Sequence, residues 1–370
     1  MSKLRKVPIL ALAALALLAG PAAADAMAGG GALYTQTNDP AGNTVQAFDR
    51  GRDGSLTPAG TFATGGAGLA GLGGRQGAVE LSGDEDTVYA VNAGSNTVTA
   101  FRADDDDHRR RPALAVAGTV ASGGVAPVSV DEHRGRVYVL NSGANPNVTA
   151  FMAGRRGTLT PIPGGTRELP GAAGAAQVSV TPDGRRLVVS ERLSNRLETL
   201  ALDRWGRPGA PVASESSGTV PFGFGFGRRG EVIVSEAGAS SVSSYRVDGS
   251  GALAAITPSL AVNQGAACWL AVAPNGRYAY TGNASGSISG FAVGRSGALT
   301  ALDADGLTAA LIPTPRDLDF SESGRYLYAV SPGNATSGGL VTGYRVGGDG
   351  SLAQITSAPA AAGITGAAAG

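Results

Sequence analysis

Acidic and basic side chains stand at the ends of short apolar segments of this sequence. Glu191 closes the segment LVVSE, Glu236 closes the similar segment VIVSE, and the adjacent residues Arg316 and Asp317 open another apolar segment. A carboxylate in a cleft can contact a polar ligand, and an arginine can hold negative charge. These side chains form one site only if the fold brings the ends of their segments together.

The sequence repeats one strand-like segment seven times. Tyr34 in the first copy and Tyr328 in the last lie 294 residues apart, or six intervals of about 49 residues each. None of the copies has the 3.6-residue apolar period of a helix, and the interval suits a four-stranded propeller blade. The copies are LYTQ (33–36), VYAVN (88–92), VYVLN (137–141), LVVSE (187–191), VIVSE (232–236), AYTGN (279–283) and LYAVS (327–331).

Each repeat carries turn signals that divide it into four short strands. Asp183-Gly184 suits a tight hairpin, and Gly-x-Leu turns recur at 157–159, 251–253, 297–299 and 350–352. A single four-stranded sheet cannot bury both of its faces, so the units must stack, and a closed ring removes the exposed ends. We therefore predict an all-β protein, a seven-bladed β-propeller of four-stranded antiparallel blades, as one domain over residues 27–370.

The two ends of the chain predict how the ring closes. The first repeat has no innermost strand before it, whereas residues 362–367 remain after the last repeat. We expect this C-terminal segment to pair with the N-terminal strands and to complete their blade.

The propeller geometry predicts a channel mouth where innermost strands begin and second strands end. Two interpretations of the residues there stay open: ligand contact, or structural roles such as local ion pairs for the charged groups and packing between blades for the aromatic rings. Cys268 is expected to act as a small buried hydrophobe. The predicted mouth residues are Gln76, Gln177, Phe222, Trp269, Arg316 and Asp317 at strand entries, with Glu191 and Glu236 at second-strand ends.

Histidine is too scarce for several kinds of site. The only two are His108, in a charged stretch, and His133, in a turn that should point to the opposite face. A Ser-His-Asp triad and a histidine-rich zinc or copper centre are therefore not expected. We predict no metal and no cofactor, although calcium held by carboxylates and carbonyls is not ruled out.

Composition and the N-terminus predict the setting. Lys3, Arg5 and Lys6 precede an apolar run and then small residues, which is the pattern of a secretory signal peptide over residues 1–26. Lys+Arg and Asp+Glu number 29 each, which argues against nucleic acid as the main partner. The stretch 104–111 is read as a solvated charged insertion. We expect an exported monomer with no membrane span after cleavage.

Several phrases resemble the seven-bladed propeller lactonase family, which includes 6-phosphogluconolactonase and carboxymuconate-cyclising enzymes. They are TPDGRRLVVSE, APNGRYAYTGN and SESGRYLYAVS, and the segments VPFGFGF, SEAGASSVSSYRV and ACWLAVAPNGRYAYTGN resemble a secreted bacterial branch. The resemblance implies lactone chemistry at the mouth, with Glu191 and Glu236 matching the family's acidic position and Arg316 its arginine. The family's strand-entry histidines are missing here.

Three functions remain open from the sequence. The first is an exported lactonase-like hydrolase, in which Glu191 or Glu236 serves as general base and Arg316 stabilises the oxyanion. The second is a non-catalytic module that binds a lactone, a sugar acid or a peptide at the same mouth. The third is a cell-envelope scaffold that uses the blade edges.

Overall fold

A computed structural model describes residues 30–69, 76–104, 112–310, 314–334 and 336–370 of the chain. The predicted signal peptide and residues 105–111 of the charged stretch lie outside the described residues. Within them, the chain forms seven antiparallel sheets, and one short 3-10 turn spans Arg155–Gly157. This confirms the predicted all-β seven-bladed propeller.

The blades follow the sequence repeats around the ring. Their strands are, in blade 1, β1 (Gly31–Gln36), β2 (Thr44–Arg50), β3 (Leu56–Ala63) and β29 (Thr365–Ala369); in blade 2, β4 (Val79–Leu81), β5 (Thr87–Asn92), β6 (Thr97–Asp104) and β7 (Ala113–Ala121); in blade 3, β8 (Pro127–His133), β9 (Arg136–Asn141), β10 (Asn147–Ala153) and β11 (Leu159–Glu168); in blade 4, β12 (Ala175–Val180), β13 (Arg186–Glu191), β14 (Arg196–Leu202) and β15 (Pro208–Glu215). The remaining strands are, in blade 5, β16 (Pro221–Phe226), β17 (Val232–Glu236), β18 (Ser241–Val247) and β19 (Leu253–Ala261); in blade 6, β20 (Ala267–Val272), β21 (Tyr278–Asn283), β22 (Ser287–Val293), β23 (Leu299–Ala301) and the additional β24 (Ala309–Ala310); in blade 7, β25 (Asp317–Phe320), β26 (Tyr326–Asn334), β27 (Gly338–Val346) and β28 (Leu352–Ala360).

The hydrophobic core lies between blades and not inside any one of them. In one cluster, Tyr138 and Leu140 of blade 3 pack against Val178 and Leu187 of blade 4, and all four are buried. Burial of one such side chain contributes roughly 1.5–3 kcal/mol. Each blade therefore gains its stability from its neighbours.

A tyrosine hydrogen bond recurs between blades. Tyr138, Tyr280 and Tyr328 each donate from the phenol to a glycine carbonyl in the turn between the third and fourth strands of the next blade, at 3.1, 2.8 and 2.9 Å. The acceptors are Gly206, Gly350 and Gly54. These bonds fix neighbouring blades at the face opposite the predicted mouth.

The C-terminal strand β29 closes the ring as the innermost strand of blade 1. It pairs with β1 in the register Leu33 with Ala369 and Gln36 with Thr365. Nε of Arg50 donates to the carbonyl of Gly370 at 2.8 Å. The predicted closure is confirmed, and the strand lies a few residues further along the chain than residues 362–367.

We predict that deleting residues 361–370 strongly destabilises the protein, because β1 loses its partner and the inner edge of blade 1 is left open. The expected fall in melting temperature is ~10 °C or more. A peptide of residues 361–370 added in trans should restore stability in proportion to its concentration. An unchanged melting temperature after the deletion would contradict ring closure by this strand.

Candidate active site

β-bulges at the starts of the innermost strands shape the predicted mouth. The register between β20 and β21 shifts between Ala267 and Trp269, so Cys268 is the extra residue. A similar shift in β16 falls between Pro221 and Phe224. Bulges commonly re-aim side chains beside functional sites. Cys268 is partly exposed, whereas both of its neighbours in the strand are buried.

Four successive blades contribute a row of alternating guanidinium and aromatic side chains to this mouth. Cζ of Arg192 from blade 4 lies 5.5 Å from the ring centroid of Phe222 in blade 5. The Phe222 and Trp269 centroids are 5.5 Å apart, with an interplanar angle of 66°. Cζ of Arg316 from blade 7 lies 5.6 Å from the Trp269 centroid. We call these four residues the mouth row, and both ends of the row carry a positive charge.

The two guanidinium groups of the mouth row have no acidic partner in the described part of the chain. In the described ranges, no salt bridge involves Arg192 or Arg316. Nε of Arg192 donates to the carbonyl of Gly174 at 3.2 Å, and burial lowers the pKa of this arginine. A negatively charged group entering the mouth would meet two cations held on aromatic faces.

Cys268 lies within the electrostatic reach of both guanidinium groups. Burial raises the pKa of its thiol to about 11, although Arg316 and Arg192 act in the opposite direction. The thiol is therefore protonated at neutral pH, and a protonated thiol is a poor nucleophile. Nε1 of the nearby Trp269 is buried and has no hydrogen-bond partner among the described residues.

Gln76 and Gln177 hold the inner strands together below the mouth. Gln76 reaches across from blade 2 to β20 of blade 6, where Nε2 donates to the carbonyl of Leu270 and Oε1 accepts its N–H at 2.9 Å. Gln177 makes the same two bonds to Phe224 of blade 5, at 3.0 and 2.7 Å. Both amides are therefore occupied by backbone groups.

Acidic side chains line a cavity of about 310 Å³ in the central channel. Asp317 accepts hydrogen bonds from the N–H groups of Gly77 and Ala367, and Asp319 accepts from Ala369 at 2.8 Å. Asp131 accepts from Val180 at 2.8 Å. Burial raises the pKa of Asp131 and of Asp319 to about 7, and it also raises the pKa of Asp317. These carboxyl groups fasten the inner strand of blade 3 to that of blade 4, and the inner strand of blade 7 to that of blade 1.

Glu236 is enclosed within blade 5. Its Oε1 accepts from the Gly218 N–H at 2.7 Å, from the hydroxyls of Ser216 and Ser243 at 2.8 Å and from Tyr245 at 3.1 Å, while Oε2 accepts from Ser241 at 2.6 Å. The residue is 0% exposed. The five donors leave this carboxylate without a free position toward the mouth.

Glu191 shares a buried space with Glu198 in blade 4. Oε2 of Glu191 accepts from the hydroxyl of Ser194 at 2.5 Å, but its Oε1 has no hydrogen-bond partner among the described residues. Burial raises the pKa of Glu191, while burial and the neighbouring Glu191 raise the pKa of Glu198 to about 7. Below neutral pH, Glu198 is the protonated partner of this pair.

The structure brings three predicted site residues together in the mouth row: Phe222, Trp269 and Arg316. Gln76, Gln177 and Asp317 line the channel wall, and Glu191 and Glu236 lie inside blades. Arg192, Glu198 and the channel acids Glu80, Asp131 and Asp319 were not predicted as site residues. The sequence did offer a signal for Arg192, because this residue directly follows the second strand of its blade.

The described residues lack a metal-binding cluster and a membrane-spanning helix. No group of three or more histidine, cysteine, aspartate or glutamate side chains is placed there to hold a metal ion. Those residues also include no helix that is long and apolar enough to cross a membrane.

Residues 129–270 match the model of a family described as lactonase, seven-bladed β-propeller. The match confirms the resemblance to that family seen in the sequence, while the secreted bacterial branch stays a prediction. No curated protein sequence matches this chain significantly.

Solved structures share the architecture of the whole domain. A candidate 6-phosphogluconolactonase from Bacteroides fragilis has a TM-score of 0.72 at 19% identity, covering 91% of this chain and 97% of its own. One from Bacteroides uniformis has a TM-score of 0.72 at 18% identity, covering 91% and 98%. The periplasmic gluconolactonase of Pseudomonas aeruginosa has a TM-score of 0.71 at 17% identity, covering 92% and 98%. Likeness at these identities shows the fold.

We predict that Glu198→Gln stabilises the protein at alkaline pH. Because the pKa of Glu198 is raised in the folded state, its stabilising contribution is complete below the unfolded pKa of about 4.5 and is lost as the pH rises to about 7. Glutamine stays neutral and can still donate to Glu191. The free energy of unfolding should rise by ~1 kcal/mol at about pH 8 and change little at about pH 5.

Urea unfolding of the wild-type protein and of the Glu198→Gln variant at these two pH values measures this difference. The matched control is Glu215→Gln, which removes a carboxylate from the same blade at an exposed position. Oε1 of Glu215 lies 3.4 Å from Nε of Arg196. An equal shift at both pH values would show that Glu198 is ionised throughout.

Proposed function

We propose that this chain, which resembles the seven-bladed propeller lactonases over residues 129–270, is a lactonase-like hydrolase that opens a lactone of the sugar-acid type at its channel mouth. The observation that carries the proposal is the mouth row, in which Arg192 and Arg316 flank Phe222 and Trp269 without acidic partners among the described residues. Lactone hydrolysis develops negative charge on the carbonyl oxygen and ends in a carboxylate. The mouth supplies cations for both.

Arg316 stabilises the oxyanion in this proposal. As water adds to the lactone carbonyl carbon, the carbonyl oxygen becomes negative, and a fixed guanidinium lowers the energy of that state. When the carbonyl re-forms, the bond between this carbon and the ring oxygen breaks, and the ring oxygen leaves as a hydroxyl after taking up a proton. Arg192, at the other end of the row, holds a polar or anionic group of the substrate.

Glu191 is the glutamate better suited to take the proton from water. Its carboxyl accepts fewer hydrogen bonds than that of Glu236, and burial raises its pKa toward the range that favours a general base at neutral pH. It also directly precedes Arg192 of the mouth row. Glu236, with five donors on its carboxylate, instead maintains the turn of blade 5.

A binding module without turnover is the second candidate function. It is favoured by one observation: Glu191 and Glu236 are both 0% exposed, so neither reaches the mouth surface in this conformation. The mouth row would then hold a sugar acid through its carboxylate.

The proposal is tested by following acid release from a panel of aldonolactones. Arg316→Gln should lower kcat/KM by about 10²–10³-fold, because an oxyanion-stabilising donor is lost, and Glu191→Gln should lower kcat. Arg186→Gln, which lies away from the mouth row, is the control for folding. If the wild-type protein releases no acid but is stabilised thermally by aldonic acids, it is the binding module.

We also propose that the protein is an exported monomer whose signal peptide is removed. The support is the N-terminal pattern of Lys3, Arg5 and Lys6 before an apolar run. N-terminal sequencing and sedimentation of protein recovered outside the cytoplasm should show a monomer that begins near residue 27. An intact N-terminus on the exported protein would contradict the cleavage.

A further inference from the structure

A second basic pocket opens between blades 3 and 4, among the turns that face away from the mouth. It has a volume of about 180 Å³ and is lined by His133, Arg136, Tyr138 and Arg204, with Asp203 at its edge. It is separate from the mouth row and plays no part in the proposed hydrolysis.

Two polar atoms of this pocket are buried without hydrogen-bond partners in the described part of the chain. They are Nε2 of His133 and Nε of Arg136. A buried polar atom that makes no hydrogen bond costs about 1–3 kcal/mol, so native structures seldom keep one without a reason. A ligand that accepts hydrogen bonds from both atoms would remove that cost.

Two glycines of blade 4 leave room for these side chains. A Cβ added to Gly184 would lie 2.8 Å from Nε2 of His133, and one added to Gly206 would collide with the Arg136 side chain. Both glycines have a positive φ, of 71° and 84°, which already disfavours other residues. The pocket therefore depends on blade 4 as well as on blade 3.

The hairpin that carries His133 departs from the sequence repeat. In three other blades the equivalent residue has a hydroxyl that accepts the N–H of the residue five positions on and closes a four-residue turn, at 2.9, 3.1 and 3.2 Å. These residues are Ser82, Thr181 and Ser321. In blade 3 the pair His133 and Arg136 encloses only Arg134 and Gly135, whose φ angles are 52° and 79°. This tight turn needs no side-chain closure, so the imidazole is left for another role.

Arg136 also replaces a residue with a structural task. Tyr278 and Tyr326, at the same place in blades 6 and 7, donate to carbonyls of the following blade at 2.8 and 2.9 Å. Arg136 keeps that contact, because its Nη2 donates to the carbonyl of Arg204 at 3.0 Å. The replacement adds a positive charge and the unpartnered Nε.

The charges of the pocket favour an anion. Arg136 and Arg204 against Asp203 give a net charge of +1 when His133 is neutral and +2 when it is protonated. Oδ1 of Asp203 is taken by the N–H groups of Trp205 and Arg207 at 2.8 and 2.9 Å. Arg204 is held on the exposed ring of Trp205, with Cζ 3.7 Å from the ring centroid.

We propose that this pocket binds a tetrahedral oxyanion, the phosphate or sulfate group of a small organic molecule. Basic side chains from three segments line the pocket: His133 from the hairpin of blade 3, Arg136 from the strand β9, and Arg204 from the turn of blade 4. Donors on three different segments suit a tetrahedral group better than a planar carboxylate. Hydrogen bonds between arginine and an oxyanion are charge-assisted and therefore strong.

Binding also depends on pH through His133. Burial, with the nearby Arg134 and Arg136, lowers the pKa of the free imidazole, while Glu132 and Asp183 act in the opposite direction. Asp203 and Arg204 face it from blade 4. A bound dianion favours the imidazolium, so affinity rises as the pH falls.

The test is calorimetric titration at constant ionic strength with sulfate, inorganic phosphate, glycerol 3-phosphate and acetate. His133→Ser and Arg136→Tyr, which install residues found at equivalent positions, should each weaken binding of sulfate and the phosphates about tenfold or more. Arg186→Tyr is the matched control: Arg186 holds the equivalent position in blade 4, donates to the carbonyl of Gly249 at 3.4 Å, and should leave affinity within about twofold.

Sulfate stays a dianion across the pH range, so a pH dependence of its affinity reflects protonation of His133. Its affinity should be about fivefold higher near pH 5.5 than near pH 7.5, and His133→Ser should abolish that difference. Tighter binding of glycerol 3-phosphate than of inorganic phosphate would identify an organic phosphate as the ligand, and equal binding would identify the free ion. The proposal is overturned if acetate binds as tightly as sulfate, or if the three variants bind alike. Arg316→Gln, which tests the mouth, should leave this binding intact.

Discussion

Burial between neighbouring blades is the constraint on which the structure depends. Tyr138 and Leu140 of one blade and Val178 and Leu187 of the next belong to one buried cluster, and no sheet has a core of its own. An open stack would leave two apolar faces in water, at a cost that grows with the exposed apolar area. The pairing of β29 with β1 removes this cost, because it completes blade 1 with the last strand of the chain.

The same closure explains why the channel is rich in buried acids. The innermost strands of a ring lie side by side but do not form a continuous sheet, so some of their N–H groups need side-chain acceptors. Asp131, Asp317 and Asp319 supply them to the strand of the next blade. Gln177 does so with an amide. The assembly of the ring thus accounts for Asp131, Asp317 and Asp319 of the channel.

The sequence predicted the architecture more completely than the site. Seven copies at a regular interval define the blades, and the unmatched C-terminal segment indicates the closure. Within the site, strand-entry positions correctly placed Phe222, Trp269 and Arg316 near one another. The alternatives left open for the aromatic rings are also resolved in part, since Trp269 is 1% exposed and packs with Leu318 and Phe320 between blades.

The glutamates show why the sequence did not predict the other contacts of the site. Glu191 and Arg192 are adjacent, yet Glu191 points into its blade and Arg192 joins the mouth row. Successive side chains of a strand face opposite ways, so an error of one residue at a strand end exchanges a buried group for an exposed one. The bulges add further shifts at Cys268 and Phe222 that no periodicity reveals. A repeat therefore predicts which segments converge, whereas only the register decides which side chains meet.

Departures from the repeat are then the most informative residues of such a chain. Where Ser82, Thr181 and Ser321 close their turns in the same way, the requirements of folding explain the residue type. Folding does not explain His133 in this way, because its two-residue turn closes without the side chain, whereas the arginine at position 136 recurs as Arg186 in blade 4. Arg192 and Arg316 differ likewise from a merely structural pair, since they stand on aromatic faces without acids to balance them in the described chain. In a fold built from seven copies, the copies act as internal controls, and a charged side chain that they do not share is a candidate for ligand binding.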